Sequence, residues 1–186
     1  MGKVETKKCY MRNGEAFFLR TAFPDDAEKV LEFNKTIICK EPYLITTEEE
    51  FKLTVNQQKC FLQKMLEGVS KLAILAEYNG EIVGTLDFHG GQKRRIEHQG
   101  SFGMSVKKEF RNQGIGKILL TEFLEWAKNN SKIEKVCLEV VSENSNAVRL
   151  YRNSGFHEEG RKKNAIKIDV GKYYDLISMA CFVKAK

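Results

Sequence analysis

The chain has 186 residues, 42% of them hydrophobic, enough to bury one core and too few for two ordinary domains. Its 31 Lys and Arg against 25 Asp and Glu leave a net charge of +6, an excess that suits an anionic cofactor, RNA or plain solubility and selects none of them. No apolar run approaches the roughly 18 residues of a membrane span, the basic start MGKVETKKCY lacks the apolar segment of a secretion signal, and Cys9, Cys39, Cys60, Cys137 and Cys181 show no Cys-x-x-Cys spacing, so a reducing cytoplasm and no membrane partner are expected. Gly2 and Thr6 satisfy the loose Met-Gly-x-x-x-Ser/Thr myristoylation pattern, which is too short to select a lipidated protein by itself.

Taken in order, residues 1–15 read as an N-terminal extension and residues 16–186 as one domain. Residues 16–21, AFFLRT, read as a first strand, and Pro24 with Asp25 and Asp26 open a helix carrying Val30, Leu31, Phe33 and Ile37 to about Cys39. A loop follows over residues 40–45, and Thr47 with Glu50 forms a capping box for a second helix bearing Phe51, Val55, Phe61, Leu62, Met65 and Leu66. Asn79-Gly80, between the apolar runs 72–78 and 81–88, predicts a tight hairpin, because both turn positions need positive φ. The polar GGQKRR is a loop; later come strands over 135–141, 156–168 and 172–183, a helix from about 144 to 154 stopped by Gly155, and a turn at Asp169-Val170-Gly171.

Residues 99–127, QGSFGMSVKKEFRNQGIGKILLTEFLEWA, organise the rest. Phe102, Met104 and Val106 alternate as in a half-buried strand, and Ile115, Ile118, Leu119, Phe123, Trp126 and Ala127 recur as on one helical face. Between them lie Arg111, Asn112, Gln113, Gly114, Ile115, Gly116 and Lys117. Glycines at a helix entrance let a ligand approach the backbone, and the unbonded N–H groups of the first turn favour an anion there. The loop is not a Walker A site, since Ile118 follows Lys117 and Arg111 stands where the first Gly belongs. Nor is it a dinucleotide fingerprint, whose third Gly is replaced by Leu119. What remains is Arg-x-x-Gly-x-Gly behind a strand ending in Val.

That pattern resembles the acetyl-CoA pyrophosphate loop of the GCN5-related N-acetyltransferase (GNAT) superfamily. The segment VCLEVVSENSNAVRLYRNSGF strengthens the resemblance: a Leu-Glu-Val strand is followed by Asn144, Ala147, Leu150, Tyr151 and Gly155-Phe156 at the offsets of the acetyl-CoA-binding strand and helix of these enzymes. The closing IKIDVGKYYDLISMACFV is similar to their C-terminal hairpin, so the likeness runs from Ala16 almost to the end. It implies an α/β fold, a single domain with a mixed, mostly antiparallel sheet of six or seven strands and about four helices. The strands ending at Val106 and Val141 should lie parallel and splay apart around the cofactor arm.

The resemblance also implies roles. Met104, Ser105 and Val106 would contact pantetheine through the backbone like an added strand. Arg111 and the amides from Asn112 through Gln113, Gly114, Ile115 and Gly116 to Lys117 would hold the pyrophosphate, and Asn144 would meet the pantetheine arm while capping its helix. Tyr151, which alone reads as a core-edge phenol, would be the general acid for the departing thiolate. Glu139, which interrupts an apolar strand, would be the general base that an ammonium of pKa near 10 requires. Glu97, His98 or a water chain are alternatives for that base. The expected activity is transfer of acetyl from acetyl-CoA to a primary amine (a small amine, an amino acid, a polyamine or a protein N-terminus) by direct attack in a ternary complex, with no metal and no nucleic-acid partner, and with a homodimer left open. A non-catalytic acyl-CoA sensor is the alternative, and a basic RNA-binding module is disfavoured because only Lys93, Arg94 and Arg95 form a basic run.

Overall fold

The computed structural model describes residues 2–40 and 43–184, and the side chains of all of these except 39 and 40. Glu41 and Pro42 of the expected first loop lie outside the described residues. Among the described residues eight strands form one sheet: β1 (Lys7–Tyr10), β2 (Ala16–Thr21), β3 (Lys71–Tyr78), β4 (Glu81–Gly90), β5 (Gln99–Val106), β6 (Lys135–Val141), β7 (His157–Asp169) and β8 (Lys172–Phe182), in the order β1-β2-β3-β4-β5-β6-β8-β7. Every neighbouring pair is antiparallel except β5 and β6. One strand more than expected is present, because β1 pairs with β2 through Lys7 to Tyr10. Those four residues are mostly exposed, so no apolar alternation betrays the strand.

Helices cover both faces. The alternation of β4 sends Leu86 and Phe88 to one side, where α3 (Ile115–Asn129) and α4 (Ser145–Asn153) pack with Phe102, Phe123, Val136, Leu138 and Phe156 in the larger core. Phe123 stands 5.1 Å from Phe88 and 5.0 Å from Phe102, ring centre to ring centre, locking α3 over the centre of the sheet. Gly84 permits that approach: a Cβ there would come within 3.1 Å of Leu119 Cδ1 and 3.3 Å of Ile115 Cγ2. The opposite face of β3 and β4, with Ala73, Leu75 and Ile82, is covered by α1 (Ala27–Lys40) and α2 (Val55–Glu67) through Val30, Phe33, Ile37, Leu62 and Met65. No helix among the described residues is long and apolar enough to cross a membrane.

Local chemistry sets the boundaries. Asn79 at φ 50° and Gly80 at φ 82° make the expected β3–β4 turn. The second helix starts later than the Thr47–Glu50 box suggests. Only half of that box forms, with Glu50 Oε2 accepting from Thr47 N–H at 2.9 Å while Glu50 N–H bonds to Thr47 O at 3.2 Å, and it closes only a turn. A second box, Thr54 with Gln57, begins α2 at Val55 and leaves Phe51 outside it. Gly2 is buried against the Met65 and Lys71 carbonyl groups, where a Cβ would lie 1.9 Å from Lys71 O.

A half-buried ion network ties the first strands to α1. The Arg20 guanidinium donates from Nη1 and Nη2 to the two oxygens of Asp26 at 2.8 and 2.7 Å, and from Nε to Glu77 at 2.7 Å. Burial would raise the Asp26 carboxyl, but the Arg20 contacts and the Phe23 N–H outweigh it and hold the group below the ordinary carboxylate range. A depressed folded-state value adds stability above about pH 4 that is lost as pH falls through it. Asp26→Asn is therefore expected to cost about 2 kcal/mol at pH 7, a loss of roughly 4–8 °C in Tm, with the gap to wild type shrinking in melts below about pH 4.

Candidate active site

The parallel pair β5–β6 is short. Register holds at Gln99 with Lys135, Gly100 with Val136 and Ser101 with Cys137, and then stops, although β5 stays paired to β4 through Val106 and β6 stays paired to β8 through Val141. From Phe102 onward the two strands part, as expected. Strand alternation decides which backbone groups face the opening. Lys107 N–H donates to Val83 O at 2.9 Å and Gln99 O accepts from Gly91 N–H at 2.8 Å, so the odd-numbered residues of β5 turn their polar groups to β4. Met104 and Val106 therefore turn theirs to the opening. Ser105, paired with Thr85, turns its own away from it.

The loop beyond β5 aims at the same place. The Arg111 Nε–H donates to Val106 O at 3.1 Å, folding the guanidinium back over the strand end. Asn112 at φ 61° and Gly114 at φ 92° are both left-handed, and Gly114 is the N-cap of α3. The first helical bond runs from Ile118 N–H to Gly114 O at 3.1 Å, so the N–H groups of Ile115, Gly116 and Lys117 have no partner within the helix. A Cβ on Gly114 would meet nothing within 4 Å, so its glycine is required by the left-handed backbone rather than by crowding within the chain. Gly116 faces the Leu150, Met104 and Val106 side chains, which would lie 3.6 to 3.8 Å from a Cβ added there, and it brings the helix start against β5 and α4. Sequence reasoning missed what holds this loop. Arg12 N–H donates to Gln113 O at 3.0 Å and Asn13 N–H to Gln113 Oε1 at 3.3 Å, so the β1–β2 turn braces it.

Across the opening, Asn144 caps α4, its Oδ1 accepting from Ala147 N–H at 3.3 Å. The helix ends at Gly155, φ 89°, with Phe156 N–H bonded to Tyr151 O and Gly155 N–H to Arg152 O. This short helix places Tyr151 against Phe102, edge to face at 5.8 Å, beside the first β5 residue past the last parallel pair. Tyr151 is 7% exposed, and among the described residues its hydroxyl makes no hydrogen bond. Burial pushes its pKa up to about 12.

Glu139 lies on the other face of the sheet from Tyr151. Its neighbours Leu138 and Val140 enter the core under α3 and α4, while its carboxylate is exposed, pairs with Lys162 Nζ at 2.5 Å and accepts from Ser178 Oγ at 3.4 Å. Glu97 pairs with Lys132 at 2.7 Å and His98 O accepts from Glu134 and Lys135 N–H. Both precede Gln99, at the end where β5 and β6 are still paired. The structure adds one carboxylate that sequence reasoning passed over: Asp87 of β4, the register partner of Gly103. A Cβ on Gly103 would lie 3.7 Å from Asp87 Oδ2, and Asp87 Oδ1 is 3.0 Å from His89 Nε2. The alternation of Thr85, Asp87 and His89 against Leu86 and Phe88 was the available signal.

These features agree with what the chain is similar to. Residues 37–156 match the acetyltransferase (GNAT) family. The L-amino acid N-acetyltransferase AaaT of Escherichia coli is 32% identical over 108 residues, 58% of this chain and 65% of that protein, just under two thirds of its length. N-alpha-acetyltransferase 30 of Dictyostelium discoideum is 30% identical over 156 residues, 82% of this chain and 74% of that protein. A solved acetyltransferase of the GNAT family from Streptococcus pneumoniae superposes with a TM-score of 0.86 at 27% identity, covering 90% of this chain and 99% of that one. With the family match spanning more than half of the chain, this protein belongs to the acetyltransferase (GNAT) family.

Proposed function

We propose that the chain moves acetyl from acetyl-CoA to a primary amine by direct attack in a ternary complex. The observation that carries this reading is the gap between β5 and β6, with the Met104 and Val106 backbone groups on one side and the α3 N-terminus at its open end. A thin amide-bearing chain can pair with that edge as a strand would, while an anionic pyrophosphate meets the first-turn N–H groups and Arg111. The Asn144 side chain, its oxygen used as a cap, has its NH2 for the same arm.

The thioester then sits near Phe102 and Gly103, with Tyr151 on the α3–α4 side and Glu139 and Asp87 on the other. The amine binds as an ammonium and loses a proton to Glu139 or to a water held by it. The nitrogen lone pair adds to the thioester carbonyl carbon, the C–S bond breaks with its electron pair leaving on sulfur, and the nitrogen gives its second proton to solvent as the amide forms. A thiol pKa near 8.5 against about 12 for Tyr151 makes complete proton transfer from the phenol uphill by roughly 5 kcal/mol. Tyr151 is thus a hydrogen-bond donor to the leaving sulfur, and solvent supplies the proton. Its raised pKa keeps that donor intact throughout the neutral range.

Acetyl-CoA is expected to raise Tm, since a ligand in hundredfold excess over Kd adds about 2.7 kcal/mol. Gly114→Val, which forces a branched residue into a left-handed backbone, should abolish that shift; a folded variant that binds acetyl-CoA like wild type would move the pyrophosphate seat elsewhere.

Tyr151→Phe should lower kcat by about 10²–10³ with little change in the KM for acetyl-CoA. It should also alter alkaline stability. A pKa raised in the folded state gives stability that is complete below pH 10 and is lost as pH climbs towards 12, so the wild type should lose more stability than Tyr151→Phe across that window. Wild-type turnover in the variant would return Tyr151 to a packing role.

Glu139→Gln is expected to depress the rate most at low pH, where little free amine exists without a base, and to recover as pH nears the amine's own pKa. A uniform loss at every pH would show that Glu139 positions rather than deprotonates.

A further inference from the structure

A cleft of about 210 Å³ lies between α1, α2 and the face of β3 and β4 that they cover, next to the proposed reaction centre. Its walls are mainly apolar, with Val30, Phe61, Leu62 and Leu75 among them. Five polar side chains among the described residues interrupt that character: Asn34, Gln57, Gln58, Thr85 and Asp87. Asp87, the one ionisable residue among the described residues that line it, sits at the end nearest the splay, because its register partner is Gly103. Gln58 is 3% exposed on the inner side of α2, and among the described residues its side-chain amide makes no hydrogen bond. No buried side-chain nitrogen or oxygen among the described residues is both sealed and unpaired, so the surface that the Gln58 amide keeps is the surface it shows to the cleft. A primary amide on a nearly buried helix face, offering donors and an acceptor to a mainly apolar space, can pair with a polar group on a ligand.

We infer that this cleft is the acceptor pocket, selecting an amine with a single positive charge and an apolar body that ends in an uncharged hydrogen-bonding group, with Asp87 meeting the ammonium and Gln58 the far end. This rests on the acetyl-transfer reading above. One carboxylate balances one cation. A second charge of either sign, whether the far ammonium of a polyamine or a carboxylate, would enter an apolar space with no counter-ion and would be excluded by its desolvation. His89, 3.0 Å from Asp87 and with its ring 5.7 Å from that of Phe61, fixes one carboxylate oxygen and leaves the other beside Gly103, on the side where the attacking nitrogen must stand.

The test is a matched series of acceptors: straight-chain ω-amino amides, alkylamines and terminal diamines of three to six carbons, compared by kcat/KM from CoA release at saturating acetyl-CoA. At the best length the amino amide should exceed the alkylamine by about tenfold, and the diamine should be the poorest, because a pocket built to hydrogen-bond rejects what leaves its polar group unpaired. Gln58→Leu should reverse the order of amino amide and alkylamine while the KM for acetyl-CoA stays put. Asp87→Asn should raise the KM of every amine about tenfold or more without changing the thermal shift given by acetyl-CoA. The wild-type ranking stands on its own should either variant fold poorly. Diamines acting best, or rates indifferent to length and end group, would overturn the inference and leave acetyl transfer standing. No CoA release with any amine, together with no thermal shift from acetyl-CoA, would overturn both.

Discussion

Three parallel residue pairs hold the two parts of this sheet together, and the abrupt end of that pairing after Ser101 and Cys137 is the constraint on which the rest depends. On one side five strands run antiparallel from β1 to β5, and on the other β6, β8 and β7 do the same. Were β5 and β6 paired to their ends, the Met104 and Val106 backbone groups would be spent on the ladder, and nothing could lie between the strands. The crossover through α3 is what allows the break. The aromatic contacts of Phe123 to Phe88 and Phe102 secure the helix over the sheet where pairing stops, so the core, not the ladder, keeps the halves in place.

The same geometry divides the labour of the two faces. Tyr151 reaches the opening from the side of α3 and α4, through a helix of only nine residues capped by Asn144 and stopped at Gly155. Glu139 and Asp87 stand on the side of α1 and α2, one on each strand system flanking the opening. In the proposed reaction the donor to the leaving sulfur and the groups that receive the amine are thus kept apart by the sheet itself. Lys162 and Ser178 hold the Glu139 carboxylate in place on that side.

Much of this was legible in the sequence, and the divide follows how local the cause is. The Asn79-Gly80 turn, the Asn144 cap and the Gly155 stop are each settled within a few residues, and the structure has all of them, whereas the left-handed backbone of Gly114 emerged only from the structure. The start of α2 was misplaced because the chain carries two capping-box patterns close together, and propagation, not the pattern, decides which one a helix grows from. β1 escaped notice because an exposed edge strand is held by backbone bonds that leave no apolar pattern. Asp87 and Gln58 gain meaning only from what the fold sets opposite them, Gly103 for the one and the cleft for the other, and no periodicity reports that.

The braced loop carries a further consequence. Because Gln113 is held by the turn between β1 and β2 at both its carbonyl and its side chain, the β1–β2 hairpin is mechanically part of the proposed anion seat. Tyr78 extends the brace, its hydroxyl donating to Glu15 at 2.8 Å from the far end of β3. β1, four mostly exposed residues at the sheet edge, belongs to the regions that open first, whereas β2 is anchored by the buried Phe17 and Leu19; each time β1 frays, the turn that supports Asn112 to Gly114 is loosened. Variation in a stretch that touches no reactant would then be felt as variation in how well the seat is ordered before its anion arrives.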